Sequence, residues 1–254
     1  MRILLTNDDG VFAPGLAAME YELRQMGEVV VVAPATEQSG VGHSITFLRP
    51  LVCKAVFDGD RRRGYAVEGS PADCVKLGVF ELCQSKPDLI VSGINSGLNV
   101  GIQVLYSGTV AAAIEGAFFG IPSVAVSFEE QEHPDFASAA KIARKVIEQL
   151  LPRRPSDAKL FNLNIPRQAV LNSHFQVRAV PMGVARYGEH FDKRVDPKGR
   201  TYYWATNDPP PQRGVEPTDL TTVEEGNIAL TPLHFDLTLR RTLSEMENWD
   251  WRGY

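Results

Sequence analysis

The sequence predicts an α/β protein: a mostly parallel sheet with helices on both faces, followed by a β-rich extension. Three observations carry this. Apolar, largely β-branched runs at Ile3–Leu5, Glu28–Ala33 and Pro87–Ser92 have the composition of strands buried on both faces. Helical patterns separate such runs, so strand, helix and strand recur as βαβ units, whose crossovers are right-handed. Each of the three runs also opens into a polar loop, and in an open sheet the carboxyl ends of the strands are where ligands bind.

The first run ends in Thr6-Asn7-Asp8-Asp9-Gly10. Two adjacent carboxylates repel each other, and a chain that keeps them together at a strand end usually offsets the repulsion with a cation. Taken alone, Asp-Gly is also a hairpin signal and Asp a common helix cap. A hairpin needs a second strand next, whereas Leu16, Met19, Leu23 and Met26 mark one face of a helix. Pro14 and Gly15 belong to its entry, and Gly27 is expected to close it in the C′ position.

After the strand Glu28–Ala33 comes a long polar loop, Pro34 to Thr46, which carries Ser39 and His43. Phe47–Phe57 and Tyr65–Val67 read as strands joined by a charged turn, with Arg61-Arg62-Arg63 as a solvated part of it. Ser70-Pro71-Ala72-Asp73 opens a helix with a cap, a proline at the first position and an acid in the first turn. The third buried run delivers Gly93-Ile94-Asn95-Ser96-Gly97-Leu98-Asn99, dense in residues that turn sharply. Ser107-Gly108-Thr109 then starts an Ala-rich helix ending at Gly120, and a helix start bearing hydroxyls and a glycine suits an anion. Ile121–Ser127 is a further strand, Phe136–Leu151 an amphipathic helix ended by Pro152, and Leu160–Ile165 the last core strand.

From about Gln168 the pattern becomes β-rich. Phe175–Val180, Thr201–Ala205 and Asn227–Leu233 read as strands, with Pro-rich turns such as Asn207–Pro211 and a short helix near Thr218–Glu225. We therefore divide the chain into a catalytic core, 1–167, and an extension with a C-terminal segment, 168–254. Trp249, Trp251 and Tyr254 suggest docking onto another subunit.

Composition excludes several classes. In 254 residues, 44% are hydrophobic and 22% charged, with a net charge of -5, which is ordinary for a globular protein and leaves no basic excess for nucleic-acid polymers. No stretch approaches membrane-spanning length. The three cysteines lack metal-type spacing, which fits a reducing compartment. Met1 leads straight into a strand without a signal-peptide pattern, so a cytoplasmic location is expected.

Three loops thus open on one sheet edge and supply oxygen donors suited to a hard divalent cation, with no His/Cys cluster for zinc. The strings Ile3–Gly10, Ala33–Ser39 with Gly42–Thr46, Ser92–Asn99 and Tyr106–Ala113, in this order and spacing, resemble the survival protein E (SurE) family of 5′/3′-nucleotidases. The resemblance covers the N-terminal two-thirds continuously, and Thr218-Asp219 with Thr231-Pro232-Leu233 resembles the family's C-terminal pattern. It implies a Rossmann-like core and a metal-dependent phosphomonoesterase acting on nucleoside monophosphates as a homodimer or homotetramer. The implied metal ligands are Asp8, Asp9, Ser39 and Asn95, holding one cation per subunit, Mg2+ or Mn2+, with Ca2+ as a crystal substitute. Ser70 departs from the Thr of many relatives, and the loop after Tyr187 matches no pattern.

On the residues themselves, Asp8 or Asp9 could accept the proton of an attacking water, and His43 could act as acid on the leaving oxygen or only contact phosphate or brace its loop. Asn95, Ser107, Gly108 and Thr109 are the expected phosphate contacts; Ser107 and Thr109 could instead simply cap their helix. A broader phosphatase with exopolyphosphatase action, or a non-catalytic nucleotide-sensing module, are the alternatives.

Overall fold

The computed structural model describes residues 1–172, 175–184, 190–206 and 216–251. The expected turn at Asn207–Pro211, the loop following Tyr187 and Tyr254 lie outside the described residues. Eleven strands are described among them: β1 (Arg2–Thr6), β2 (Glu28–Pro34), β3 (Cys53–Asp58), β4 (Arg61–Val67), β5 (Leu89–Ser96), β6 (Ser123–Phe128), β7 (Leu160–Ile165), β8 (Val177–Ala179), β9 (His190–Val195), β10 (Thr201–Thr206) and β11 (Ile228–Leu233). The helices are α1 (Pro14–Leu23), α2 (Pro71–Leu77), α3 (Gly108–Phe118), α4 (Phe136–Arg153), α5 (Arg167–Leu171), α6 (Asp219–Glu224) and α7 (Arg240–Met246).

Nine strands form one sheet in the order β3-β4-β2-β1-β5-β6-β7-β11-β8, parallel from β4 to β7. β11 runs antiparallel to β7 and parallel to β8, so part of the β-rich C-terminal segment extends the central sheet. β9 and β10 form a separate antiparallel hairpin. The alternation of β1 shows how the sheet is covered. Ile3 and Leu5 point into a core with Leu16, Met19 and Leu23 of α1 and Ala139, Ala143 and Ile147 of α4. Leu4 points the other way, to Cys74 and Val75 of α2 and Ala112 of α3. The small residues of α3 let it lie close on the strands, with Val110, Ala113 and Ala117 against Ala125. Among the described residues no helix is long and apolar enough to cross a membrane.

The sequence reading is corrected in several places. Phe47 and Leu48 are exposed loop residues and β3 begins only at Cys53, because the chain is first held at the start of α2, where Asp73 binds the Thr46 N–H. Arg61–Arg63 belong to β4; the turn is only Gly59-Asp60. Arg63 is drawn inward by Glu20, whose Oε2 accepts from its Nε at 2.6 Å, and by the Val11 carbonyl at 2.9 Å. α1 stops at the Arg24 cap, and Gly27 serves the close passage of the Met1 carbonyl, not a left-handed cap. Pro152 sits in the last turn of α4, which runs one residue past it. α2 ends at Leu77 and continues as a π-helical turn, Gly78–Leu82. β5 extends through Ser96, so Asn95 belongs to a strand and pairs with Ser127.

The cap of α2 agrees with expectation and does more. Ser70 Oγ accepts from the Asp73 N–H at 3.1 Å while Asp73 Oδ2 accepts from the Ser70 N–H at 2.9 Å, a reciprocal capping box. Both Asp73 oxygens also accept from the Thr46 N–H at 3.0 Å, tying the polar loop to the helix start. Asp73→Ala is expected to cost about 2 kcal/mol, a cap plus a charged hydrogen bond. Urea denaturation should register the loss, and amide exchange should rise at Thr46.

Candidate active site

The carboxylate pair lies at the end of β1, with β2 on one side and β5 on the other. The chain winds outward from β1 to β2 and β4, then crosses back to β5, so β1 and β5 flank a topological switch point. Crevices form there because successive connections leave in opposite directions. All three loops named from the sequence meet at this crevice. The Asp8 carbonyl accepts from the Gln38 N–H at 2.8 Å, which ties the loop carrying Ser39 to the pair. Asp9 Oδ2 accepts from the Ser96 N–H at 3.3 Å, which joins the pair to Asn95.

Asp8 is buried, and its Oδ1 accepts from the Thr109 hydroxyl. Gly108 permits this: a Cβ there would stand 3.0 Å from the Asp8 Cβ and 3.1 Å from its Oδ2. The carboxylate therefore sits against the start of α3. Burial pushes the Asp8 carboxyl above its ordinary range, opposed mainly by the Thr109 hydrogen bond. Asp9 is pushed up to about 6 by burial and then by the charge of Asp8, against the Ser96 N–H.

The remaining groups are arranged around this pair. Asn95 Nδ2 donates to the Gly97 carbonyl at 2.7 Å, which fixes the amide and leaves Oδ1 as its acceptor end. Ser39 Oγ donates to Glu37 Oε1 at 2.6 Å, keeping its lone pairs available. Ser107 Oγ caps α3, accepting from the Val110 N–H at 3.1 Å. Thr109 turns its hydroxyl to Asp8. These two hydroxyls thus cap and brace, and the helix start meets the carboxylate of Asp8.

His43 stands apart from the carboxylates. Its Nε2 is 2.7 Å from Glu115 Oε2, and its ring stacks on Phe118 with centroids 5.4 Å apart. Glu115 lies six residues beyond Thr109, ~9 Å along the helix at 1.5 Å per residue. Here His43 fastens the polar loop to α3.

Sequence reasoning missed Glu115, although a single carboxylate in an otherwise apolar Ala-rich helix was a visible signal. It also missed the clamp beneath Asn99. The Asn99 N–H donates to Asn164 Oδ1 at 2.8 Å, its carbonyl accepts from Asn162 Nδ2 at 2.7 Å, and its amide donates to Ser127 Oγ at 2.8 Å. Two asparagines in the buried run Leu160–Ile165 were the clue. Asn99 is thereby a structural residue holding the loop that follows β5.

The donor chemistry fits a hard divalent cation. Among the described residues no three His, Cys, Asp or Glu side chains form a metal-binding group. Two half-buried to buried carboxylates with raised pKa values, next to hydroxyl and amide oxygens, match the ligands of Mg2+, Mn2+ or Ca2+. Such a cation would offset the burial and the repulsion that lift Asp9.

Comparisons with known proteins identify the family. The model of the family described as survival protein SurE matches residues 3–189. The chain is similar to 5′-nucleotidase SurE of Rhodopirellula baltica, with 59% identity over 99% of this chain and 100% of that one. It is also similar to 5′-nucleotidase SurE of Heliobacterium modesticaldum, with 43% identity over 98% and 92% of the two chains. The crystal structure of the SurE protein from Aquifex aeolicus superimposes with a TM-score of 0.85 at 38% identity, covering 97% of this chain and 98% of that one. With its switch-point carboxylates, its loop order and its full-length relatives in agreement, the chain belongs to the SurE family.

Proposed function

We propose that this protein is a divalent-metal-dependent nucleotidase that hydrolyses nucleoside 5′- or 3′-monophosphates to nucleoside and phosphate. The observation that carries the reading is the Asp8–Asp9 pair, half-buried to buried and mutually repelling at the switch point. A site for an anion alone would not set two negative charges beside the phosphate. The names of the full-length relatives, 5′-nucleotidase, supply the substrate class.

Asp8, Asp9, Ser39 and Asn95 would hold one cation, Mg2+ or Mn2+ by its oxygen preference. When bound, it supplies Lewis-acid polarisation of a phosphoryl oxygen and a lowered pKa for water. The chain's own residues do the rest. Thr109 orients Asp8, the Ser96 N–H orients Asp9, and the pair accepts the proton of the attacking water. Asn95 and the backbone at the α3 start, Gly108 above all, would meet the phosphate and favour the charge that builds on its oxygens, while the Ser107 and Thr109 hydroxyls cap the helix and brace Asp8. His43 is the acid for the leaving oxygen only where the polar loop releases it from Glu115. Phosphate release from a nucleotide panel, with and without chelator, tests the reading; full turnover in chelator would overturn it. Polyphosphate competing with AMP would mark a broader phosphatase.

An acid limb follows from Asp9. Its proton competes with the cation, so kcat/KM should fall about tenfold per pH unit below about 6. Raising the Mg2+ concentration should move the midpoint to lower pH, and rate profiles at two metal concentrations check this.

We assign residues 1–167 to catalysis and 168–254 to assembly as a dimer or tetramer. Support comes from the exposed Tyr203 and Trp204 of the hairpin and Trp249 and Trp251 near the C-terminus, apolar surface that a subunit contact would cover. The free thiols Cys53, Cys74 and Cys83 support a reducing, cytoplasmic setting.

A further inference from the structure

A second cavity lies on the opposite edge of the sheet, at the amino ends of the strands. β2 begins at Glu28 and β4 at Arg61, yet their ladder starts only at Val31 and Gly64. The two strands therefore part like the arms of a fork. At the vertex Gly64 lets them meet closely, since a Cβ there would stand 2.2 Å from the Val31 carbonyl oxygen. The cavity between the arms has a volume of about 310 Å³, at the lower end of small-ligand sites.

Its lining is strongly basic in a protein whose net charge is -5. Arg2, Arg24, Arg61, Arg62 and Arg63 line it against a single carboxylate, Glu28. Three of these arginines have partners just outside the lining: Arg24 and Arg63 pair with Glu20 at 2.5 and 2.6 Å, and Arg2 with Asp88 at 4.0 Å. Arg61 and Arg62 have no carboxylate within 4.0 Å among the described residues. Arg62 is laid over the Tyr65 ring, 5.2 Å from its centroid, a contact that holds the guanidinium in place. Arg63 turns its guanidinium inward to Glu20 and the Val11 carbonyl, so Arg61 and Arg62 are the arginines left for a ligand.

We infer that this fork is a second binding site, distinct from the carboxylate edge, for a small anion carrying two or three linked phosphate groups. A chain of phosphates presents several oxygens to several guanidinium forks at once, which a single carboxylate or one phosphate does not. The recess between two strand arms favours a small ligand over a nucleic-acid backbone, which needs an open basic stripe. The cation at the other edge is not needed for it.

The probe is inorganic tripolyphosphate, titrated calorimetrically in metal-free buffer into the wild-type chain and into Asp8→Asn/Asp9→Asn. Both are expected to bind it with the same affinity, with a steep salt dependence. Arg61→Gln/Arg62→Gln should weaken it at least 30-fold without changing the melting temperature. The single Arg61→Gln should weaken it at least fivefold, so the test survives a misfolded double variant. Loss of binding in the aspartate variant with retention in the arginine variant would overturn the site. So would the absence of metal-free binding, or a short RNA binding more tightly than tripolyphosphate.

Discussion

Replacing both site carboxylates, Asp8→Asn and Asp9→Asn, is expected to lower kcat/KM for nucleoside monophosphates on the order of 10³-fold or more, the scale of losing a principal electrostatic element of a hydrolytic site. The same change should raise the melting temperature of the metal-free protein. Asp9 is lifted from 3.8 to about 6 in the folded state, so the native chain holds a proton that the unfolded chain releases. Its contribution to stability is therefore fully present below pH 3.8 and lost as the pH rises through about 6. At neutral pH the ionised Asp9, buried beside Asp8, strains the metal-free fold, and the amide pair does not. Added Mg2+ should stabilise the wild type, by mass action on the native state, and leave the double variant unmoved. Calorimetric melts with and without metal read all three effects. A variant that lost activity and also melted lower would show the carboxylates to be structural.

The second large effect is on stability. Gly15, in the first turn of α1, passes so close to β5 that an added Cβ would stand 2.2 Å from the Ile94 carbonyl oxygen and 3.2 Å from the Phe136 ring. Backbone cannot yield as a flexible side chain does, so Gly15→Ala must push α1 off the sheet. We expect a loss of about 3 kcal/mol or more, at the upper end for overpacking. Because Ile94 immediately precedes Asn95, activity at a temperature where the variant is still folded should fall as well. Denaturant midpoints and kcat measured on the same preparation separate the two.

Much of this architecture was legible because parallel strands announce themselves twice, by β-branched runs and by the loops they release. Asp8 and Asp9 stood out since adjacent acids at a strand end are electrostatically costly and therefore informative. The Ser70 cap was legible because capping is local. Where the sequence misled, the competing force was tertiary. Arg61–Arg63 looked like a solvated turn, but Glu20, 43 positions from Arg63, pulls Arg63 into a strand. Phe47 and Leu48 have strand composition, yet the anchoring of Thr46 by Asp73 keeps that stretch in a loop. Thr109 and Ser107 were legible as a helix start; that Asp8 sits against that start was not, because residues 8 and 109 meet only through the fold.

The place of β11 has a consequence for synthesis. β8 is an edge strand whose ladder runs to β11 alone, and β11 lies between it and β7. A chain emerging from the ribosome thus makes residues 177–179 some fifty positions before the strand that gives them a neighbour. Until residues 228–233 arrive, β7 is itself an open edge, able to pair with a foreign strand. From the synthesis of β7 until residues 228–233 emerge the nascent sheet is therefore unfinished, which makes that interval the window in which a holding chaperone would matter most.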